Sequence, residues 1–189
     1  MSNKAHVSAN RTMISYSVMR KISRDSLEAA KESEKYRYSN CTSAMVFSAF
    51  CLEAYYNHLG NININNWEAI ERKLSPDEKL LKLAQRLNFQ FDKGHRPFQT
   101  LSDIFQFRNG IAHAKTEYLR LEYEQAIQAI MASDEPKMPL TKWEEKISLD
   151  VAERFVTDME DVIRKLHMAA KFPEDPFAET FIENWETKP

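Results

Sequence analysis

Apolar positions recur at helical spacing in several separate stretches, and no segment alternates convincingly with period two. The densest stretch is Asn40 to Leu59. There Met45, Phe47, Phe50, Cys51, Leu52, Ala54, Tyr55 and Leu59 cover most of a helical circumference, which predicts a central, largely buried helix. Gly60 and the Asn-Ile-Asn-Ile-Asn-Asn tract of residues 61–66 are expected to end it, with His58 as a C-terminal cap. Upstream, Ser23 to Tyr38 reads as an amphipathic helix with Ser23 as its N-cap. The polar lead-in of residues 1–22 has no clear period, which leaves open a disordered segment or a short helix.

Downstream, a short helix is expected at Trp67–Lys73. Ser75-Pro76-Asp77-Glu78 then opens another, with capping-box chemistry and Pro at the first helical position, running to about Leu87. A loop from Phe89 to Arg96 precedes a helix that starts near Pro97, with Leu101, Ile104, Phe105, Ile111 and Ala112 on one stripe. Tyr118 to Met131 is expected to be helical and Ser133–Pro139 a loop. Ser148 should start a last long helix ending near Lys171, with Val151, Phe155, Met159, Val162, Ile163 and Leu166 on one side. The fold class that follows is all-α: an antiparallel bundle of four to five helices over residues 23–171, with a short extra helix pair. The acidic tail of residues 172–189 carries Phe177, Phe181 and Trp185 and reads as a strap across the body or a partner contact.

Composition sharpens this picture. The chain has 189 residues, 43% hydrophobic and 29% charged, enough for one domain with a real core. Three Gly and seven Pro suit a helical protein. A net charge of -2 excludes a broadly basic nucleic-acid coat and confines any RNA contact to a local site. With no apolar run of transmembrane length and no signal-peptide core at the N-terminus, a cytoplasmic protein with no membrane contact is expected. Cys41 and Cys51 sit ten residues apart on one expected helix. Roughly 15 Å of helix rise separates them, too far for a disulfide, so they read as small core residues. Neither they nor the acidic groups Glu144-Glu145 and Asp158–Asp161 have His at ligand spacing. No metal site or cofactor is expected, and those carboxylates read as surface charge.

The candidate chemistry lies in Arg108-Asn109-Gly110-Ile111-Ala112-His113. Arg108 falls in line with the apolar stripe, where a cation is costly unless paired or used. Asn109 and His113, four apart, share a helix face. Histidine ordinarily titrates near neutrality, and a guanidinium and an amide beside it complete the parts for metal-independent RNA cleavage. Between Asn40 and His58 the only charged residue is Glu53. A lone carboxylate in an uncharged helix wants a cation, so Glu53 and Arg108 are expected to pair, with Asn57 in register with Glu53.

Arg108-Asn109-x-x-x-His113 resembles the Arg-x(4–6)-His motif of the HEPN superfamily in its Arg-Asn form. The segment Phe50–Asn57 resembles the buried helix of those bundles. The resemblance implies a homodimer and endoribonuclease activity leaving a 2′,3′-cyclic phosphate, in toxin–antitoxin, antiphage or RNA-processing systems. Arg108 and His113 would then be the catalytic pair, Asn109 their polar companion, and Glu53 and Asn57 supporting residues. RNA would be the substrate, and an antitoxin or regulatory protein a further partner. One motif supplies one His, so an acid and a base together require two copies at a two-fold seam. A non-catalytic nucleotide- or protein-binding module of the same fold is the alternative. Lys115 stands where the superfamily subset regulated by tyrosine modification carries Tyr, so that mode of control is not implied. Elsewhere, Lys93, His95 and Arg96 read as a small basic loop cluster, and His167 as part of a solvated face.

Overall fold

The structure, a computed structural model, describes residues 6–124, 138–178 and 181–188. Its elements run β1 (His6–Met13), α1 (Ser15–Glu32), α2 (Arg37–Asn63) and α3 (Trp67–Ile70), the last continued by a 3-10 turn at Glu71–Lys73. Then follow α4 (Pro76–Leu87), a 3-10 turn at Phe98–Thr100, α5 (Leu101–Ala112), a 3-10 turn at Glu144–Lys146, α6 (Leu149–Ala169) and β2 (Phe181–Lys188). The described chain is thus mostly helical. None of its helices is long and apolar enough to cross a membrane.

Helix α2 is the hub, packed against α1, α3, α4, α5 and α6. Met45, Ala49, Leu52, Tyr55, Tyr56 and Leu59 along it are all 0% exposed, as a helix apolar over most of its surface requires. Cys41 and Cys51 are free and buried on it. Burial pushes the Cys51 thiol up, and its Sγ donates to the Tyr16 carbonyl at 3.1 Å.

Gly60 does not end α2. The helix runs on to Asn63, and His58 therefore caps nothing; its ring packs 5.0 Å from Tyr16. Gly60 is there for space: a Cβ on it would lie 2.2 Å from the indole of buried Trp67. Ser23 is likewise no cap, because α1 begins eight residues earlier, at Ser15. Its hydroxyl is buried at the α1–α2 contact, donating to the Ala44 carbonyl at 2.8 Å and lying 3.0 Å from Ser48 Oγ. By contrast, Ser75 and Glu78 form the expected capping box, and Ser148 accepts from the Val151 N–H at 3.2 Å to start α6. Gly110 leaves α5 unbroken, and His113 closes it by donating its N–H to the Asn109 carbonyl at 3.0 Å.

The expected helix at Tyr118–Met131 is not present over Tyr118–Glu124. That stretch is irregular and exposed, so it has no packed face to stabilise a helix. Residues 125–137, with the rest of that helix and most of the expected Ser133–Pro139 loop, lie outside the described residues. Two expectations on α6 are also overturned. Asp158 and Glu160 are not surface charges but 2% and 7% exposed. Arg96 forks onto Asp158 at 2.8–3.1 Å, Thr100 donates to it as well, and Arg20 and Arg24 clasp Glu160 at 2.6 and 2.8 Å. His167 is 8% exposed rather than solvated, and its Nδ1 lies 3.1 Å from the Tyr55 hydroxyl.

The tail does strap the body at first. Phe177 sits under the guanidinium groups of Arg20 and Arg164 at 5.0 and 5.1 Å, and Arg164 pairs with Asp175 at 2.9 Å. It then forms β2, which pairs antiparallel with β1 from Met13↔Phe181 to His6↔Lys188. The chain termini thus carry a two-stranded ribbon where period-two alternation was not evident.

Two stability predictions follow from this packing. Gly→Ala in a helix ordinarily stabilises. Gly60→Ala should instead cost about 1–3 kcal/mol in urea denaturation, because the Trp67 ring must move. For His167 and His58 burial is the main force holding the pKa below the ordinary histidine value. Their stability contribution is therefore complete above the unfolded pKa of about 6.5 and is lost as pH falls through the lower folded values. The denaturation midpoint should fall between neutral pH and pH of about 5, and His167→Gln should flatten that slope.

Candidate functional site

Helix α5 buries Leu101, Ile104, Phe105 and Phe107, and Arg108 follows on the same side of the helix. Its side chain is 19% exposed, and Nη2 donates to Glu53 Oε2 at 2.5 Å. The Glu53–Arg108 pair expected from the sequence is therefore present, joining the hub helix to α5. Asn57, one turn beyond Glu53, accepts from Lys79 Nζ at 2.8 Å. That ammonium also lies 3.7 Å from Glu53 Oε1. Glu53, Asn57, Lys79 and Arg108 thus form one cluster at the meeting of α2, α4 and α5.

Lys79 is the member sequence reasoning missed, and its side chain is only 4% exposed. A signal was available. Lys79 precedes Leu83 by four and adjoins Leu80 on the stripe that α4 buries, the kind of position that drew attention to Arg108. One carboxylate faces two cations, so the cluster carries a net positive charge. Arg108 Nε is buried and has no hydrogen-bond partner among the described residues, an unsatisfied donor inside the cluster.

Asn109 and His113 stand apart from this cluster. Both are exposed, Asn109 in the last turn of α5 and His113 at its C-cap. Neither makes a side-chain hydrogen bond or ion pair among the described residues, so the imidazole is open to a ligand. The arrangement is a clamped, partly buried guanidinium followed within the same helix end by an exposed amide and an exposed imidazole. It can hold an anion and exchange a proton beside it.

The other basic group is neutralised. His95 Nδ1 meets Asp92 at 2.7 Å, Lys93 meets Asp77 at 2.9 Å, and Arg96 is held by Asp158. Asp92, His95 and Arg96 edge a groove of about 560 Å³ lined also by Phe89, Phe91, Phe98 and Lys165. Among the described residues no group of three or more His, Cys, Asp or Glu side chains converges as metal ligands. No protein-family model, curated protein or solved structure matches the chain.

The cluster makes an asymmetric prediction. Glu53→Gln leaves Lys79 and Arg108 facing each other without a counter-charge, and should cost about 2–3 kcal/mol. Arg108→Met leaves Glu53 still neutralised by Lys79 and should cost about 1 kcal/mol. Equal losses in urea denaturation would show that Lys79 does not share the carboxylate.

Proposed function

We propose that this chain is a HEPN-like endoribonuclease that cleaves RNA without a metal, as a homodimer with a composite site. The observation that carries this reading is the Glu53–Arg108 clamp, which holds a guanidinium in one orientation at the end of the helix that also presents Asn109 and His113. In the proposed reaction one His113 takes the 2′-hydroxyl proton and the 2′-oxygen attacks phosphorus. The bond to the 5′-oxygen breaks, and the His113 of the second copy protonates the leaving oxygen. The products are a 2′,3′-cyclic phosphate and a 5′-hydroxyl. Arg108 stabilises the charge that grows on the phosphoryl oxygens, with Asn109 as a hydrogen-bonding companion and Lys79 supplying the excess positive charge. The acidic balance of the chain suits an RNA contact confined to this cluster, and a toxin or antiphage role with a regulatory protein partner fits such an enzyme.

A second reading has its own observation. Arg108 is already engaged by Glu53 and is mostly buried, which favours a fixed charge that holds an anion over one that turns it over. On that reading the chain is a non-catalytic module that binds a nucleotide or a partner protein.

Incubation of the full chain with mixed RNA in EDTA separates the two. The ribonuclease reading expects cleavage to cyclic-phosphate ends, reduced about 100-fold or more by His113→Ala and by Arg108→Ala. Cleavage abolished by EDTA, or undiminished from the wild type in both variants, overturns it. Saturable RNA or nucleotide binding without cleavage, lost in Arg108→Ala, selects the binding module.

A further inference from the structure

Three phenylalanines meet between α4 and α5 in the manner of a core, but the chain does not close over them. The Phe91 ring lies 4.9 Å from Phe98 and 6.3 Å from Phe89, and Phe89 lies 5.8 Å from Phe98. Phe98 is buried, yet Phe89 and Phe91 are only partly so. All three line the groove of about 560 Å³, to which α6 contributes Lys165, Met168 and Ala169. Met168 is 67% exposed, off the stripe that α6 packs into the core. It stands three residues from Lys165, so a thioether and an ammonium sit side by side on that helix. The groove has the size of a small-ligand cleft, roughly 300–1,000 Å³.

Its polar groups divide into those already engaged and those that are free. Asp92 accepts from the Gly94 N–H and lies 2.7 Å from His95 Nδ1. Arg96 forks onto Asp158. Lys165 and Gln90, which also line the groove, have no hydrogen bond or ion pair among the described residues. The charge left without a partner is therefore a cation, with an amide as second donor. A carboxylate accepts from both kinds of group. The rings meet at interplanar angles of 14°, 37° and 50°, so they offer faces and edges to an incoming ring. A thioether is a favourable neighbour for such a ring.

We propose that this groove binds a small aromatic monocarboxylate, its ring against Phe89, Phe91 and Met168 and its carboxylate at Lys165 and Gln90. The groove shares no residue with the Glu53 cluster or with Asn109 and His113, so the ribonuclease reading can fail and this site stand.

Calorimetric titration of the full chain with naphthylacetate tests it. The wild type should show one saturable site. The neutral amide, naphthylacetamide, should bind about tenfold more weakly, and so should octanoate, which keeps the charge and lacks the ring. Lys165→Gln should weaken the acid about tenfold and leave the amide unchanged, while Met168→Ser should weaken both alike. Both substituted positions are exposed, so helical circular dichroism should be the same in all three proteins. No saturable binding of naphthylacetate, acid and amide binding equally to the wild type, octanoate binding as tightly as naphthylacetate, or equal weakening of acid and amide by Lys165→Gln overturns the proposal.

Discussion

The constraint on which this structure turns is that α2 is surrounded. Five helices pack against it, and a helix in that position has little solvent into which to place a charge. Glu53 is the one charged residue across its middle, and its carboxylate is answered from two sides, by Arg108 of α5 and Lys79 of α4. Glu53 is the one acid either cation meets among the described residues, Lys79 having only the neutral Asn57 besides. Arg108 occupies a position on an apolar stripe, and Lys79 is almost wholly buried. Remove the carboxylate and both lose their counter-charge, Arg108 partly buried and Lys79 almost wholly so. The acid therefore fixes how α4 and α5 sit on the hub as well as neutralising a pair.

The same logic recurs on α6. Asp158 lies between Phe155 and Val162 at helical spacing, a polar residue within the buried stripe, just as Arg108 is on α5. A stripe violation is readable in a single sequence; Arg108, Lys79 and Asp158 all show one. What a sequence does not show is the partner. Glu53 was identifiable because it is alone in its helix, whereas Arg96 sits in a loop beside His95 and Lys93 and looked like one of a basic trio. Glu160 is harder still, flanked by Asp161 and next to solvent-facing positions, with Arg20 and Arg24 more than a hundred residues away. Periodicity therefore locates most of the helices, and solitary charges locate Glu53 and Arg108 in the cluster. Charges with neighbours of like type read as surface even where they are buried.

Glycine and serine misled for a related reason. Their usual roles, ending a helix and capping one, follow from local backbone chemistry. At Gly60 and Ser23 a contact distant in sequence decides instead: an indole that leaves no room for a Cβ, and a hydroxyl that finds a carbonyl on the neighbouring helix. Where no such contact competes, at Ser75 and Ser148, the local rule holds. The terminal ribbon is the extreme case. Residues 6–13 and 181–188 are joined only by pairing across the whole chain. With the described side chains of residues 7–13 and 181–184 exposed, neither strand needs the alternation of apolar and polar residues that marks a half-buried strand.

Lys79 also changes what the Arg-Asn-x-x-x-His pattern can do electrostatically. A guanidinium locked to a carboxylate is close to neutral as seen by an approaching phosphate, so the clamp that orients Arg108 also cancels most of its field. The buried ammonium beside Glu53 restores the balance, since one negative charge now faces two positive ones in a partly desolvated setting. Orientation and field strength thus come from different residues: Glu53 fixes the direction of the guanidinium, and Lys79 keeps the site cationic. On the ribonuclease reading, the charge that stabilises the transition state belongs to the cluster as a whole. The motif residues alone, without a cation from α4, would present an aligned but electrostatically muted site.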